Sequence, residues 1–258
     1  MRTTIQEPEL YDILFLDIET VSQYERLEDA PIPYQTLWER KATHFITADE
    51  TAAGLYDRST IYAEFGRVVC ISLGYFHWKP EMGETLRVSV FAGNEQNVLA
   101  EFCSALKAFR SLHERVYLCA HNGKEFDFPY IARRLLVQNM ELPDELRVAG
   151  RKPWETHFLD TLELWKFGDY KHYTSLELLA YTFGISELLE GMEGSKVHNV
   201  FYKEADLQKI AVYCQHDTAT CAQLYRKMRG KEIIAQENII YTPPLTFEPE
   251  QDGINKAG

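Results

Sequence analysis

The sequence predicts an α/β protein whose sheet is covered on both faces, and two observations carry that expectation. Ile13 to Leu16, with the β-branched Ile18 and Val21 beyond, make an apolar run suited to a central strand. Downstream, short apolar runs are interleaved with stretches whose apolar residues recur at helical spacing. At 258 residues the chain is long enough for one large domain with a substantial core.

Taken in order, the first strand gives way at residues 22 to 63 to a charged, aromatic stretch with weak periodicity, in which Tyr34 to Ala42 alone suggests a helix. This reads as a peripheral insertion of about forty residues. Gly66 to Phe76 and Leu86 to Phe91 then read as strands joined by a turn around Lys79 to Glu84, forming an antiparallel meander with the first. Val98, Phe102, Leu106 and Phe109 mark a helix over Asn97 to Phe109. A short strand, Val116 to Ala120, ends in His121–Asn122–Gly123–Lys124–Glu125–Phe126–Asp127 and leads into a helix reaching Val137. Phe158 to Leu164 is the last expected strand. Leu176 to Phe183 forms a helix closed by Gly184, Gly191 to Lys196 a loop, and Leu207 to Met228 a long helix. The domain is expected over 1–238, with 239–258 a loosely held tail rich in proline and charge.

Composition narrows the function classes. A formal charge of −12 argues against a generic polyanion binder, whose affinity comes from Lys and Arg neutralising phosphates. No apolar run reaches the length of a membrane span and the N-terminus is not signal-like, so a soluble cytoplasmic protein is expected. Cys70, Cys103, Cys119, Cys214 and Cys221 show neither CxxC nor zinc-ligand spacing and read as reduced, mostly buried thiols.

Chemistry enters where acids interrupt apolar sequence. Asp17 and Glu19 break the first strand, and its period of two puts both on one face, about 6.5 to 7 Å apart. That spacing suits sharing an ion or gripping a two-metal pair. Taken singly, Asp-x-Glu also reads as the start of a loop, Asp127 as a helix N-cap, and Tyr213 with Asp217 as a core tyrosine one turn from a surface acid.

As an ordered set, Asp17-x-Glu19, Asn122-x-x-x-Phe126-Asp127 and Tyr213-x-x-x-Asp217 resemble the tyrosine-type DEDD 3′–5′ exonucleases, above all the proofreading exonuclease domains of family-B DNA polymerases. Ser175–Leu176–Glu177–Leu178–Leu179–Ala180, Phe183–Gly184–Ile185 and Tyr213–Cys214–Gln215–His216–Asp217 extend the likeness across roughly residues 11 to 229. Val212 stands where the histidine-type relatives would carry histidine. The resemblance implies an RNase H-like fold with a mixed five-stranded sheet flanked by helices, and two divalent ions, Mg²⁺ or Mn²⁺. Asp17, Glu19 and Asp217 would hold the first ion, Asp17 would bridge to the second, and Asp127 would act mostly through water. Tyr213 would orient the attacking water. The implied activity is release of nucleoside 5′-monophosphates from the 3′ end of a single strand, DNA favoured, with a polymerase or repair protein as recruiting partner. Thr20, Asn122 and Phe126 match substrate-side positions, Asp160 an outer position, and Lys124, Arg133 and Arg134 either phosphate contacts or solvated charge. A binding or scaffold protein that keeps the fold with little turnover is the alternative.

Overall fold

The computed structural model describes residues 8–169, 173–185 and 192–242. Six strands, β1 (Ile13–Ser22), β2 (Gly66–Lys79), β3 (Gly83–Ala92), β4 (Tyr117–Ala120), β5 (Phe158–Asp160) and β6 (Ile239–Tyr241), form one sheet in the order β5-β4-β1-β2-β3-β6. β1, β2 and β3 are the expected antiparallel meander; β4 and β5 run parallel to β1, and β6 runs parallel to β3. The sheet therefore has six strands where five were expected. The extra strand lies at the start of the stretch read as a tail, where Ile239 is buried and Thr242 donates a backbone hydrogen bond to Val88. The rest of that stretch lies outside the described residues.

The alternation in β1 divides its side chains between two cores. Leu14, Leu16 and Ile18 face α2 (Glu95–Arg110) and α3 (Asp127–Val137), meeting Val98, Phe102, Leu106, Phe128 and Ile131. Ile13 and Phe15 face the long helix α7 (Leu207–Met228), meeting Ala219, Ala222 and Tyr225. Val21 continues that second row against Ile210, Ala211 and Cys214. Each fully buried side chain of this size stabilises the fold by about 1.5–3 kcal/mol. Asp17 and Glu19 fall within the row facing α7, so two carboxylates stand in an otherwise apolar stripe.

The insertion has a core of its own. Helix α1 (Ile32–Ala42) brings Trp38 against Tyr56 and, with Tyr34, Phe45, Tyr62 and Phe65, forms a cluster of tilted and edge-on aromatic contacts. Aromatic mass at irregular spacing hid this from a search for periodicity. The insertion is tied to β1 by Thr20 Oγ1 donating to the Thr60 carbonyl at 3.0 Å and Ser59 Oγ donating to Ser22 Oγ at 2.7 Å.

Two further expectations change. The strand at Phe158 stops at Asp160, whose carboxylate caps the short helix α4 (Thr161–Lys166) by accepting from the backbone of Leu162 and Glu163. Leu162 and Leu164 thus belong to a helix. Arg134 is no phosphate contact. It is buried and forks onto Glu95, with Nε and Nη2 donating at 2.8 and 2.6 Å, while Nη1 donates to the Ala63 carbonyl. Glu95 also accepts from the Val68 backbone, so the pair joins the insertion, β2, α2 and α3. Helix α5 (Leu176–Thr182) ends at Gly184, whose φ of 71° provides the expected left-handed stop. The short α6 (Val197–Asn199) runs into a π-helical turn over Val200–Glu204 ahead of α7.

Removing one partner of a buried ion pair strands the other charge. Arg134→Ala is expected to lower unfolding free energy by about 3–5 kcal/mol, read from the midpoint of a urea transition at constant slope. A loss under about 1 kcal/mol would show that the network is not a structural clamp.

Candidate active site

The parallel strands β1, β4 and β5 share one end, where side chains and loops project into a crevice, the usual place for a ligand in an open α/β sheet. Asp17 follows two residues after Phe15, which is level with Cys119, so it stands beside the point where β4 gives way to His121. Glu19 is buried opposite Cys70. Directly after it the register shifts, with Val69 the extra residue on β2, a bulge that bends the pair beside Glu19.

Asp127 arrives through a loop held by another carboxylate. Asp160 Oδ1 accepts from the Asn122 backbone at 2.9 Å and Oδ2 from the Lys124 backbone at 3.1 Å, while the same side chain caps α4. Asn122 takes a left-handed φ of 64°, a conformation that asparagine tolerates, and its carbonyl accepts from Glu125 and Phe126. Gly123 is required: a Cβ there would lie 2.4 Å from that of Ala120. Phe126 is the N-cap residue of α3, with its ring half-buried against the core, so Asp127 is the first helical residue rather than the cap.

Tyr213 and Asp217 come from α7. Asp217 is only 9% exposed, and Cys214, three residues earlier on the same face, is wholly buried with its thiol donating to the Asp17 carbonyl oxygen at 3.4 Å. Asp17, Glu19 and Cys214 each place one donor atom within 4.8 Å of the others. Asp17 Oδ2 and Asp217 Oδ1 are buried without a protein partner.

The electrostatics are those of acids crowded out of water. Burial, then the charges of Glu19, Asp217 and Asp127, holds Asp17 well above the ordinary carboxylate range. Burial, then Asp217, does the same to Glu19. Burial pushes Asp127 up to about 8, with Asp160 adding to the rise and backbone N–H groups opposing it. Asp217 rises to about 7 through burial, against the pull of the Tyr213 hydroxyl. Tyr213 itself is raised, by burial first and then by the charge of Asp217. Each of the four thus favours its protonated form more than an exposed carboxyl does, and a bound cation would favour the charged form instead. Buried oxygens with no protein partner suit hard divalent ions.

Sequence reasoning missed several neighbours. The Tyr173 hydroxyl is raised by burial and by Asp127, Asp17, Asp160 and Asp217, and its ring meets that of His121. Glu177, in the first turn of α5, adds to the rise of Asp217. Only Cys214 left a usable signal, its spacing of three from Asp217. Around the acids, Thr20 spends its hydroxyl on Thr60, Lys124 pairs with Glu163 at 2.5 Å, and His216 packs against Tyr241. An apolar groove of 620 Å³ lies elsewhere, lined by Leu14, Tyr75, Trp78 and Phe109 among others.

With this geometry in view, residues 60–229 match the family RNase_H_2 of the RNase_H superfamily. Among solved structures, the family B DNA polymerase from the hyperthermophilic archaeon Pyrobaculum calidifontis is similar, with 18% identity and a TM-score of 0.50. The similarity covers 86% of this chain and 25% of that one, so the chain spans about a quarter of the polymerase's length and shares its fold over that part. Comparison with curated proteins gives no match. Among the described residues, no helix is long and apolar enough to cross a membrane.

Raised carboxyls make metal-free stability fall with pH. The folded state binds more protons than the unfolded chain once pH exceeds the unfolded value of 3.8, and the penalty is complete above the folded values of about 7 and 8. In chelator, the unfolding temperature is expected to drop between pH 5.5 and 8.5 by several °C, at roughly 2–4 °C per kcal/mol. Mg²⁺ should recover most of it at pH 8.5, and Asp127→Asn should flatten the slope. An unchanged slope in that variant would remove Asp127 from the cluster.

Proposed function

The chain belongs to the RNase H superfamily, and from that membership and its carboxylate cluster we propose that it is a metal-dependent 3′–5′ exonuclease acting on single-stranded nucleic acid, DNA in preference. It releases nucleoside 5′-monophosphates. The observation that carries this reading is the convergence of Asp17, Glu19, Asp127 and Asp217 from three distant segments, with buried oxygens on Asp17 and Asp217 that no protein group satisfies.

Asp17, Glu19 and Asp217 would hold one divalent ion, Mg²⁺ or Mn²⁺, and Asp17 would reach a second that Asp127 meets mostly through water. Such ions, when bound, neutralise charge on the phosphodiester and make water a better nucleophile. The chain's own groups do the rest. The raised Tyr213 hydroxyl keeps its proton at neutral pH, so Tyr213 orients the attacking water for in-line displacement and does not serve as general base. Asp160 holds the loop that sets the position of Asp127. Thr20, Asn122 and Phe126 border the terminal nucleotide, Thr20 through its backbone because its hydroxyl is engaged.

A single strand fits best, since a terminal nucleotide must enter the crevice with its base unpaired. The net charge of −12 leaves little general attraction for nucleic acid, which favours delivery by a polymerase or repair partner. The same charge favours the second reading, a binding or scaffold protein with little turnover.

A time course on 5′-labelled single-stranded DNA and RNA of one sequence separates the two. With Mg²⁺ or Mn²⁺ the expected result is a ladder shortening from the 3′ end, absent in EDTA and in Asp17→Ala. Tyr213→Phe loses one hydrogen bond to the water and is expected to slow the reaction about tenfold without abolishing it. Intact substrate throughout would establish the second reading, and equal rates in wild type and Asp17→Ala would show that these acids are not the site.

A further inference from the structure

We propose that Asp17, Glu19 and Cys214 also form a binding site for a thiophilic divalent cation, Zn²⁺ or Cd²⁺, whose occupancy displaces the hard ions and arrests turnover. The inference rests on the same carboxylates as the proposed function, together with a sulfur which that function does not use.

The geometry supports a site of three donors. The three donor atoms lie within 4.8 Å of one another, and zinc bonds of about 2.0–2.3 Å span at most about 4.3 Å from oxygen to sulfur, so a small turn of the side chains brings one ion within reach of all three. Cys214 is fully buried on the face of α7 that also carries Asp217. Its thiol makes weak hydrogen bonds with the Asp17 carbonyl oxygen and with Cys70, so turning toward the carboxylates gives up only weak contacts. A separate observation points to the same space: Asp217 is nine-tenths buried, its Oδ1 has no partner, and its charge bears on both Asp17 and Glu19. Asp217 thus borders the site, outside the three donor atoms that lie within 4.8 Å of one another.

The donor chemistry decides the ion. Three carboxylates alone suit Mg²⁺ or Mn²⁺, which keep water in the coordination shell. Adding a thiolate selects softer cations and the four-coordinate tetrahedral arrangement that zinc takes in closed sites. On binding, the Cys214 S–H bond breaks, a sulfur–metal bond forms, and the proton passes to solvent. No electron is transferred. An ion held there occupies Asp17 and Glu19, the carboxylates that a hard ion would need, hence the arrest.

Titration of the chelator-treated, reduced full chain with Cd²⁺ tests this, read as the thiolate-to-cadmium charge-transfer absorbance and as release of bound Mn²⁺ by electron paramagnetic resonance. One equivalent of Cd²⁺ should produce the band and expel Mn²⁺. Cys214→Ser should lose the band while still binding Mn²⁺, and Cys103→Ser should keep it. In the exonuclease assay, Zn²⁺ should inhibit wild type at least about tenfold more tightly than Cys214→Ser, each compared with its own Mg²⁺ rate. A band that persists in Cys214→Ser, or Cd²⁺ that leaves Mn²⁺ in place on wild type, overturns the inference; the second result needs no variant to fold. If the chain shows no turnover, the absorbance and Mn²⁺ readouts still decide the site, so the two proposals fail separately.

Discussion

Repulsion among carboxylates withdrawn from water is the constraint on which this fold turns. Asp17, Glu19, Asp127 and Asp217 act on one another where solvent screens little, and the described residues supply few compensating donors: the Cys214 thiol at Asp17, the Tyr213 hydroxyl at Asp217 and backbone N–H groups at Asp127. A buried charge without a partner is expensive. Such an arrangement persists only because the surrounding scaffold is stable enough to impose it, and it relaxes by holding protons or taking up cations.

The scaffold does this by placing rigid elements on every side. β1 is flanked by two strands, and its apolar side chains alternate into two cores, so a slip of one residue would turn Phe15 and Val21 away from α7. The acids share a row with those residues and inherit their register. Asp160 plays a different part. By binding the backbone on both sides of Gly123 and capping α4, it makes the β4–α3 connection and the end of β5 one unit. Glu95 and Arg134 perform the corresponding task on the opposite face, where they fasten α2 and α3 to the start of β2. The insertion adds a third brace, since the Thr60 carbonyl accepts from both Thr20 and Tyr130.

What the sequence made legible follows from period and local chemistry. The two-residue alternation of β1 and the four-residue step from Tyr213 to Asp217 are intrinsic to strand and helix, so the faces bearing the acids were readable before any contact was known. Gly184 as a helix stop was readable for the same kind of reason. Tertiary decisions were not. Leu162 and Leu164 look like strand residues until Asp160 is seen to cap a helix. Arg134 looks like surface charge until Glu95 approaches from thirty-nine positions away. β6 is too short to show alternation and exists because the edge of β3 offers it hydrogen bonds. Tyr173 and Glu177 come near the acids through a chain path that no spacing rule encodes.

The acidic surface and the acidic site have different physical consequences. Surface charge repels a polyanion over a Debye length and weakens every approach of nucleic acid. The buried cluster carries no such penalty once divalent cations balance its charge. Recognition through a metal-held phosphate is short-ranged compared with attraction along a basic track. Cys214 adds a further consequence of proximity. A thiol packed beneath β1 to fill space also stands beside two carboxylates, and the donor set that results is softer than oxygen alone would make it.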